Sequence, residues 1–250
     1  MYNPFSLKGK TILITGASSG IGRGTAIECS KMGATVILSG RDEERLKETY
    51  CQLEGQGHLI VVGDLTKEED LQKLIQIMPS LSGIVHSAGI SQIKMAKFMD
   101  KASLNEIFDV NVVAPIMLNS ILLQKRLIQK GSSIVFISSI SGVYASQVGE
   151  AGYGASKSAL IGYMRSAAIE LAPQGIRVNC IHPGVIETPL LSLSKDNFSE
   201  EMLENMKKKY PLRRFGRPED VARCAVYLLS EASSFMTGSS ILLDGGFSLS

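Results

Sequence analysis

The 250-residue sequence predicts an α/β fold, a doubly wound parallel sheet of seven strands with helices on both faces. Three observations predict it. Short β-rich runs alternate with longer stretches of helical period along the whole chain. No Ser/Gly/Pro linker, repeat or low-complexity tract interrupts that series. The first β run empties into Thr15-Gly-Ala-Ser-Ser-Gly-Ile-Gly22, a glycine turn that opens a helix as a Rossmann-like dinucleotide site requires.

The elements follow in order. Thr11-Ile-Leu-Ile14 sets a strand at 11–15, and the apolar-periodic stretch Ile21 to Met32 sets a helix at 20–32. Val36-Ile-Leu38 marks a strand at 34–39, and Asp42 is placed to cap the helix at 42–54. A strand at 58–62 leads to a helix at 67–78, and a strand at 83–87 leads to a long helix at 103–129. Within that helix Pro115 has no N–H to give the Asn111 carbonyl, so a kink is expected, with the bland alternative of a proline tolerated in a bent helix. The remaining strands are expected at 133–138, 176–181 and 240–243, with helices at 152–172 and 218–230. The largest irregular piece runs from Pro183 to Pro211 and contains a short helix around Glu200 to Lys209. Leu190, Leu191, Leu193, Phe198, Met202 and Met206 need something to cover. The segment 188–212 is therefore read as a substrate lid, with a subunit-interface segment as the alternative.

With 44% hydrophobic residues, the chain can build one substantial core, so residues 1–250 are expected to form one domain. Lys plus Arg total 26 against 24 Asp plus Glu, which favours neither nucleic acid nor an anionic membrane as partner. Cys29, Cys51, Cys180 and Cys224 are scattered without C-x-x-C spacing and read as thiols of a reducing cytoplasm. The N-terminus lacks a basic-then-apolar leader, and no apolar run reaches about 18 residues, so neither secretion nor a membrane span is expected. His58, His86 and His182 have no ligand spacing, and no metal is expected.

Ligands of open α/β sheets sit beyond the carboxyl ends of the strands, and the chemistry-bearing residues fall there. Gly16 permits the tight turn, Gly20 lets the backbone approach phosphates, and Gly22 lets the helix pack on the strand. Asp64-Leu65, Ser87-Ala-Gly89, Ser138-Ser139 and Pro183-Gly184 follow later strands. Tyr153 and Lys157 lie four apart on one helix face, where the ammonium is expected to lower the phenol from its ordinary value of about 10. Ser139 can hydrogen-bond a substrate carbonyl oxygen, with Ser138 and Ser141 as rivals, and the Asn111 carbonyl can hold a water.

The adenosine end of the site is read from Val36-Ile-Leu-Ser-Gly40-Arg41. An acid that would receive both ribose hydroxyls is absent at Gly40, and Arg41 can meet a 2′-phosphate. NADP(H) is expected over NAD(H).

These residues together resemble the short-chain dehydrogenase/reductase family, in its single-domain branch. Ile176-Arg-Val-Asn-Cys-Ile-His-Pro-Gly184, Gly216-Arg-Pro-Glu-Asp220 and Thr237-Gly-Ser-Ser-Ile-Leu-Leu-Asp-Gly-Gly246 are similar to its later signatures. The resemblance implies that Tyr153 exchanges a proton with the substrate oxygen and that Lys157 tunes it and binds the nicotinamide ribose. It further implies that Ser139 polarises the carbonyl and Asn111 anchors a relay water. It places Ser18, Ser19 and Ile21 with the three glycines on the cofactor phosphates, and Asp64, Leu65, Ala88 and Gly89 along its adenine side and centre. Pro183, Gly184, Val185, Ile186 and Thr188 meet the nicotinamide. One departure is His86-Ser87-Ala-Gly89 in place of the family's frequent Asn-Asn-Ala-Gly, which makes His86 a structural strand-end group. A second is the Ser139 to Tyr153 spacing, one residue longer than the commonest.

The implied activity is interconversion of a ketone and a secondary alcohol, with 3-oxoacyl-carrier-protein reduction the nearest type. Ala172-Pro-Gln-Gly175 lacks the basic residue that carrier-protein reductases often present before the sixth strand, so a sugar, steroid or other small ketone stays open. A non-catalytic nucleotide-binding scaffold is the rival from another class. It would have been free to lose Tyr153, Lys157 or Asn111, all of which are present. The resemblance also implies a homotetramer built partly on the helices 103–129 and 152–172.

Overall fold

A computed structural model describes residues 2–189 and 200–249. Seven parallel strands, β1 (Thr11–Thr15), β2 (Thr35–Gly40), β3 (Leu59–Val62), β4 (Leu81–His86), β5 (Ile128–Ile137), β6 (Arg177–Pro183) and β7 (Ser240–Leu243), form one sheet in the order 3-2-1-4-5-6-7. The order reverses between β1 and β4, and such a switch point opens a crevice at the carboxyl ends of the strands. The helices are α1 (Gly20–Lys31), α2 (Glu43–Tyr50), α3 (Glu68–Ile77), α4 (Lys101–Phe108), α5 (Ala114–Gln124), α6 (Ala151–Leu171), α7 (Glu200–Lys208) and α8 (Pro218–Leu229).

The two-residue alternation of the strands sorts side chains onto two cores. Leu13, Ile37, Ile84 and Phe136 face one layer with Leu118, Leu160 and Met164 from α5 and α6. Ile12, Ile14, Val36 and Leu38 face the other with Val221 and Val226 from α8. Asp42 caps α2 as expected, its carboxylate accepting from the Arg45 N–H at 3.0 Å.

The expected helix at 103–129 is corrected. It is α4, a π-helical turn over Asp109–Val113, and α5, with Pro115 in the first turn of α5. Proline cannot supply the i+4 N–H, and the widened turn accommodates the missing bond. The helix also ends earlier than expected. Arg126 turns left-handed at φ 56°, Leu127 starts a new direction, and β5 begins at Ile128 rather than 133. Lys101–Gln124 is long and apolar enough by composition to cross a membrane, yet Ile107, Leu118 and Leu122 on it are buried core residues. Of the expected lid, residues 190–199, including Leu190, Leu191, Leu193 and Phe198, lie outside the described residues. On its far side the Tyr210 ring is buried and its hydroxyl accepts from the Val185 N–H at 3.2 Å.

Candidate active site

The glycine turn between β1 and α1 is held by close backbone packing. Gly16 adopts φ 67°, and a Cβ on it would stand 2.8 Å from the Ala88 backbone; a Cβ on Gly22 would stand 2.2 Å from the Gly16 carbonyl oxygen. Any side chain at these two places pushes strand, helix and the neighbouring loop apart. Thr15 fixes that loop, its hydroxyl oxygen accepting from the Ser87 and Ala88 N–H groups, both at 3.2 Å.

Beyond the turn lies a cleft of about 600 Å³. The turn residues Gly16, Ser18, Ser19, Gly20, Ile21 and Gly22 line its middle, with Ala88 and Gly89 opposite. Arg41, Asp64 and Leu65 line it beside β2 and β3, and Thr188 and Pro189 close the other side. Arg45, which sequence reasoning passed over, lines the cleft next to Arg41. Its signal was available: it sits one turn after Arg41, and the cap at Asp42 holds it there through the main chain and an ion pair at 3.3 Å. The Asp64 carboxylate accepts from the Thr66 N–H and hydroxyl at 3.0 and 2.8 Å. Its burial works against ionisation, but those bonds and the Arg41 charge together hold it below the ordinary carboxylate range.

A second cavity of about 430 Å³ adjoins the first and shares Ile21, Ser87, Gly89, Ile90 and Thr188 with it. Ser139, Tyr153 and Lys157 line this second space, as do Pro183, Gly184, Val185 and Ile186. The serine rivals separate by their partners. The Ser138 hydroxyl donates to the Lys157 carbonyl at 2.8 Å, and the Ser141 hydroxyl donates to Glu150 at 2.7 Å. Ser139 alone of the three pairs with the Tyr153 side chain.

Asn111 is buried in the π turn. Its Nδ2 donates to the Ile90 carbonyl and to the Ser156 hydroxyl, both at 3.0 Å, and its Oδ1 accepts from the Ile90 N–H at 2.9 Å. The side chain is thus committed to clamping the loop after β4. Gly89 leaves the gap between this clamp and Lys157, since a Cβ there would stand 3.1 Å from both Asn111 Oδ1 and Lys157 Nζ.

One electrostatic expectation is corrected. The Lys157 ammonium lies over the Tyr153 ring, 5.9 Å from its centroid, and donates to the Ile137 carbonyl at 2.9 Å. Its charge is therefore directed at a main-chain oxygen, and burial dominates the phenol instead. Burial pushes Tyr153 up to about 12; the hydrogen bond with Ser139 opposes this in part, and the Glu150 charge adds to it. Burial likewise lowers Lys157 to about 8. At neutral pH the pair is a protonated phenol beside an ammonium.

The histidines are structural, as expected for His86. Its ring stacks on Phe136 at 4.7 Å, its Nε2 pairs with Asn119 at 2.9 Å, and burial lowers it to about 4. His58 Nδ1 accepts from the Val36 N–H at 3.0 Å, and His182 Nδ1 lies 3.1 Å from the Ser139 carbonyl oxygen.

The comparisons with known proteins agree with this geometry. Residues 16–248 match the family model described as enoyl-(acyl carrier protein) reductase. A 3-oxoacyl-[acyl-carrier-protein] reductase of Rickettsia bellii is 36% identical over 240 residues, which span 96% of this chain and 97% of that one. An NAD-dependent glycerol dehydrogenase of Listeria innocua is 32% identical over 98% of this chain and 96% of its own length. Among solved structures, a putative NAD(P)-dependent gluconate 5-dehydrogenase of Beutenbergia cavernae with bound NADP superposes with a TM-score of 0.87 at 30% identity, covering 99% of this chain and 100% of the other. Near-complete coverage by such relatives, joined to a glycine cradle that leads into a Ser-Tyr-Lys cavity, places this chain in the short-chain dehydrogenase/reductase family.

Proposed function

We propose that the chain is an NADP(H)-dependent oxidoreductase that interconverts a ketone and a secondary alcohol, with Ser139, Tyr153, Lys157 and Asn111 as its working residues. One observation carries the reading: the cavity holding Ser139, Tyr153 and Lys157 opens into the glycine-lined cleft through shared walls. The residues fit a dinucleotide phosphate. Gly16 and Gly22 let β1, α1 and the loop after β4 pack against one another without a Cβ between them, so that the turn's backbone lines the cleft; Arg41 and Arg45 lie together at the β2 end, and Asp42 is already occupied with a helix cap and Arg45. We assign Arg45 with Arg41 to the 2′-phosphate.

NADPH, when bound, supplies the hydride that reduces the carbonyl carbon. The protein supplies the proton and the polarisation. Tyr153, protonated at neutral pH, gives its proton to the carbonyl oxygen as charge develops there, and the Ser139 hydroxyl donates a second hydrogen bond to the same oxygen. Lys157 stabilises the resulting phenolate once it leaves the Ile137 carbonyl, and the Asn111 main chain holds the water that returns a proton to the site.

The substrate is a small carbonyl or alcohol compound. Similarity to 3-oxoacyl-[acyl-carrier-protein] reductases supports a 3-oxoacyl thioester, and the polyol and sugar-acid dehydrogenases among the relatives support a hydroxylated ketone. The reading of 188–212 as the cover of the cavity is supported at its first residue, where Thr188 lines both spaces; residues 190–199 lie outside the described residues. The family resemblance points to a cytoplasmic homotetramer, and the exposed apolar side chains Val113, Met117 and Ile169 on the helical layer, 47%, 44% and 77% exposed, support a contact between chains there. Sedimentation tests the assembly. For the reaction, purified protein with NADPH and a panel of ketones and acyl thioesters should consume NADPH with at least one carbonyl compound, and no turnover across the panel refutes the reading.

A further inference from the structure

Glu150 stands three residues before Tyr153 and caps the same helix, its carbonyl accepting from the Gly154 N–H at 2.7 Å. That position places its side chain on the Tyr153 face of the helix, one turn back. The half-buried carboxylate lines the cavity of Ser139 and Tyr153. Oε2 accepts from the Ser141 hydroxyl at 2.7 Å, and the Ser141 N–H in turn donates to the Ser139 hydroxyl oxygen at 3.1 Å. Two links therefore tie the carboxylate to the residue facing the carbonyl. Oε1 has no hydrogen-bond partner among the described residues. Apart from Tyr153 and Lys157, Glu150 is the only charged or titratable group among the described residues that line this cavity.

A carboxylate in that position accepts hydrogen bonds and cannot donate them. It is satisfied by a substrate hydroxyl and left poorly solvated by an alkyl chain, and it repels a carboxylate or phosphate next to the reacting carbon. Resting on the reading that this cavity holds the reducible carbonyl, we propose that Glu150 is a specificity-determining residue whose free oxygen accepts a hydrogen bond from a hydroxyl beside the carbonyl, so that the substrate is a neutral hydroxyketone or the matching diol.

The test is a pair of ketones differing in one hydroxyl, 1-hydroxy-2-butanone and 2-butanone, each assayed with NADPH on the wild type, E150L and E150A. The wild type is expected to favour the hydroxyketone by at least about tenfold in kcat/KM, mostly through KM. Both variants are expected to lose that preference, since neither leucine nor alanine offers a side-chain atom that accepts or donates a hydrogen bond. E150A, the smaller replacement, carries the test should E150L fold poorly. A wild type without the preference, or variants in which both ketones lose activity in proportion with the ratio kept, overturns the inference. Reduction of acetoacetyl thioester but of neither ketone also overturns it while leaving the reductase reading intact, whereas no turnover of any carbonyl compound sinks both.

Discussion

His86 makes the protein acid-sensitive by an amount that follows from its burial. The ring is 3% exposed, stacked on Phe136 and paired with Asn119, and burial lowers its pKa from 6.5 to about 4. In the unfolded chain the imidazole takes up its proton near pH 6.5; in the folded protein it resists until about 4. Between those values the unfolded state binds more protons. Stability is therefore intact above pH 6.5 and is lost as pH falls toward 4. Linkage gives a loss of about 2 kcal/mol from pH 7 to pH 5 and about 3 kcal/mol by pH 4. His182, also lowered by burial, adds in the same direction, so the His86 share is isolated by difference. Urea unfolding of the wild type and of His86→Asn at fixed protein concentration, measured at pH 7 and pH 5, reads it. The variant is expected to start less stable, having lost the ring stack, and to lose about 2 kcal/mol less than the wild type between the two pH values. Equal losses in the two proteins would mean that His86 is charged in the folded state, and the packing argument would fail.

Two further predictions concern the cofactor. If the ammonium serves both the ribose, as the family resemblance implies, and the phenol, as proposed, Lys157→Met should weaken NADPH binding and slow turnover together; an unchanged NADPH dissociation constant contradicts the ribose assignment. The wild type should prefer NADPH over NADH by at least about tenfold in kcat/KM, and Gly40→Asp should reverse the preference by repelling the 2′-phosphate. The substitution is sterically feasible, since a Cβ on Gly40 meets its nearest neighbour, Leu46, at 3.4 Å. Equal use of both cofactors by the wild type would remove the role given to Arg41 and Arg45.

The sheet was legible because strand signals are local: β1 and β7 run over 11–15 and 240–243 as the apolar runs indicate. What escaped was decided by contacts distant in sequence. Leu122, Leu123, Leu127 and Ile128 continue a helical period on paper. The chain turns instead at Arg126, because the Leu81 N–H donates to the Leu127 carbonyl and the Ser132 hydroxyl to the Leu81 carbonyl, so β5 starts beside β4. At the site the i,i+4 spacing of Tyr153 and Lys157 showed which residues share a face. It did not show that Lys157 would find the Ile137 carbonyl first, or that burial would outweigh its charge at the phenol. The choice among three serines likewise needed their partners, and Glu150 entered only through its bond to Ser141.

The central claim, that Tyr153 is the proton donor of an NADPH-dependent reduction, is tested most directly by Tyr153→Phe, which removes one oxygen from a ring that otherwise keeps its place. Turnover of the best ketone and NADPH binding are measured on the same preparation. The account predicts that turnover is abolished while the NADPH dissociation constant stays close to the wild-type value. Retention of more than about a tenth of the wild-type kcat, a barrier change under about 1.4 kcal/mol, would contradict it.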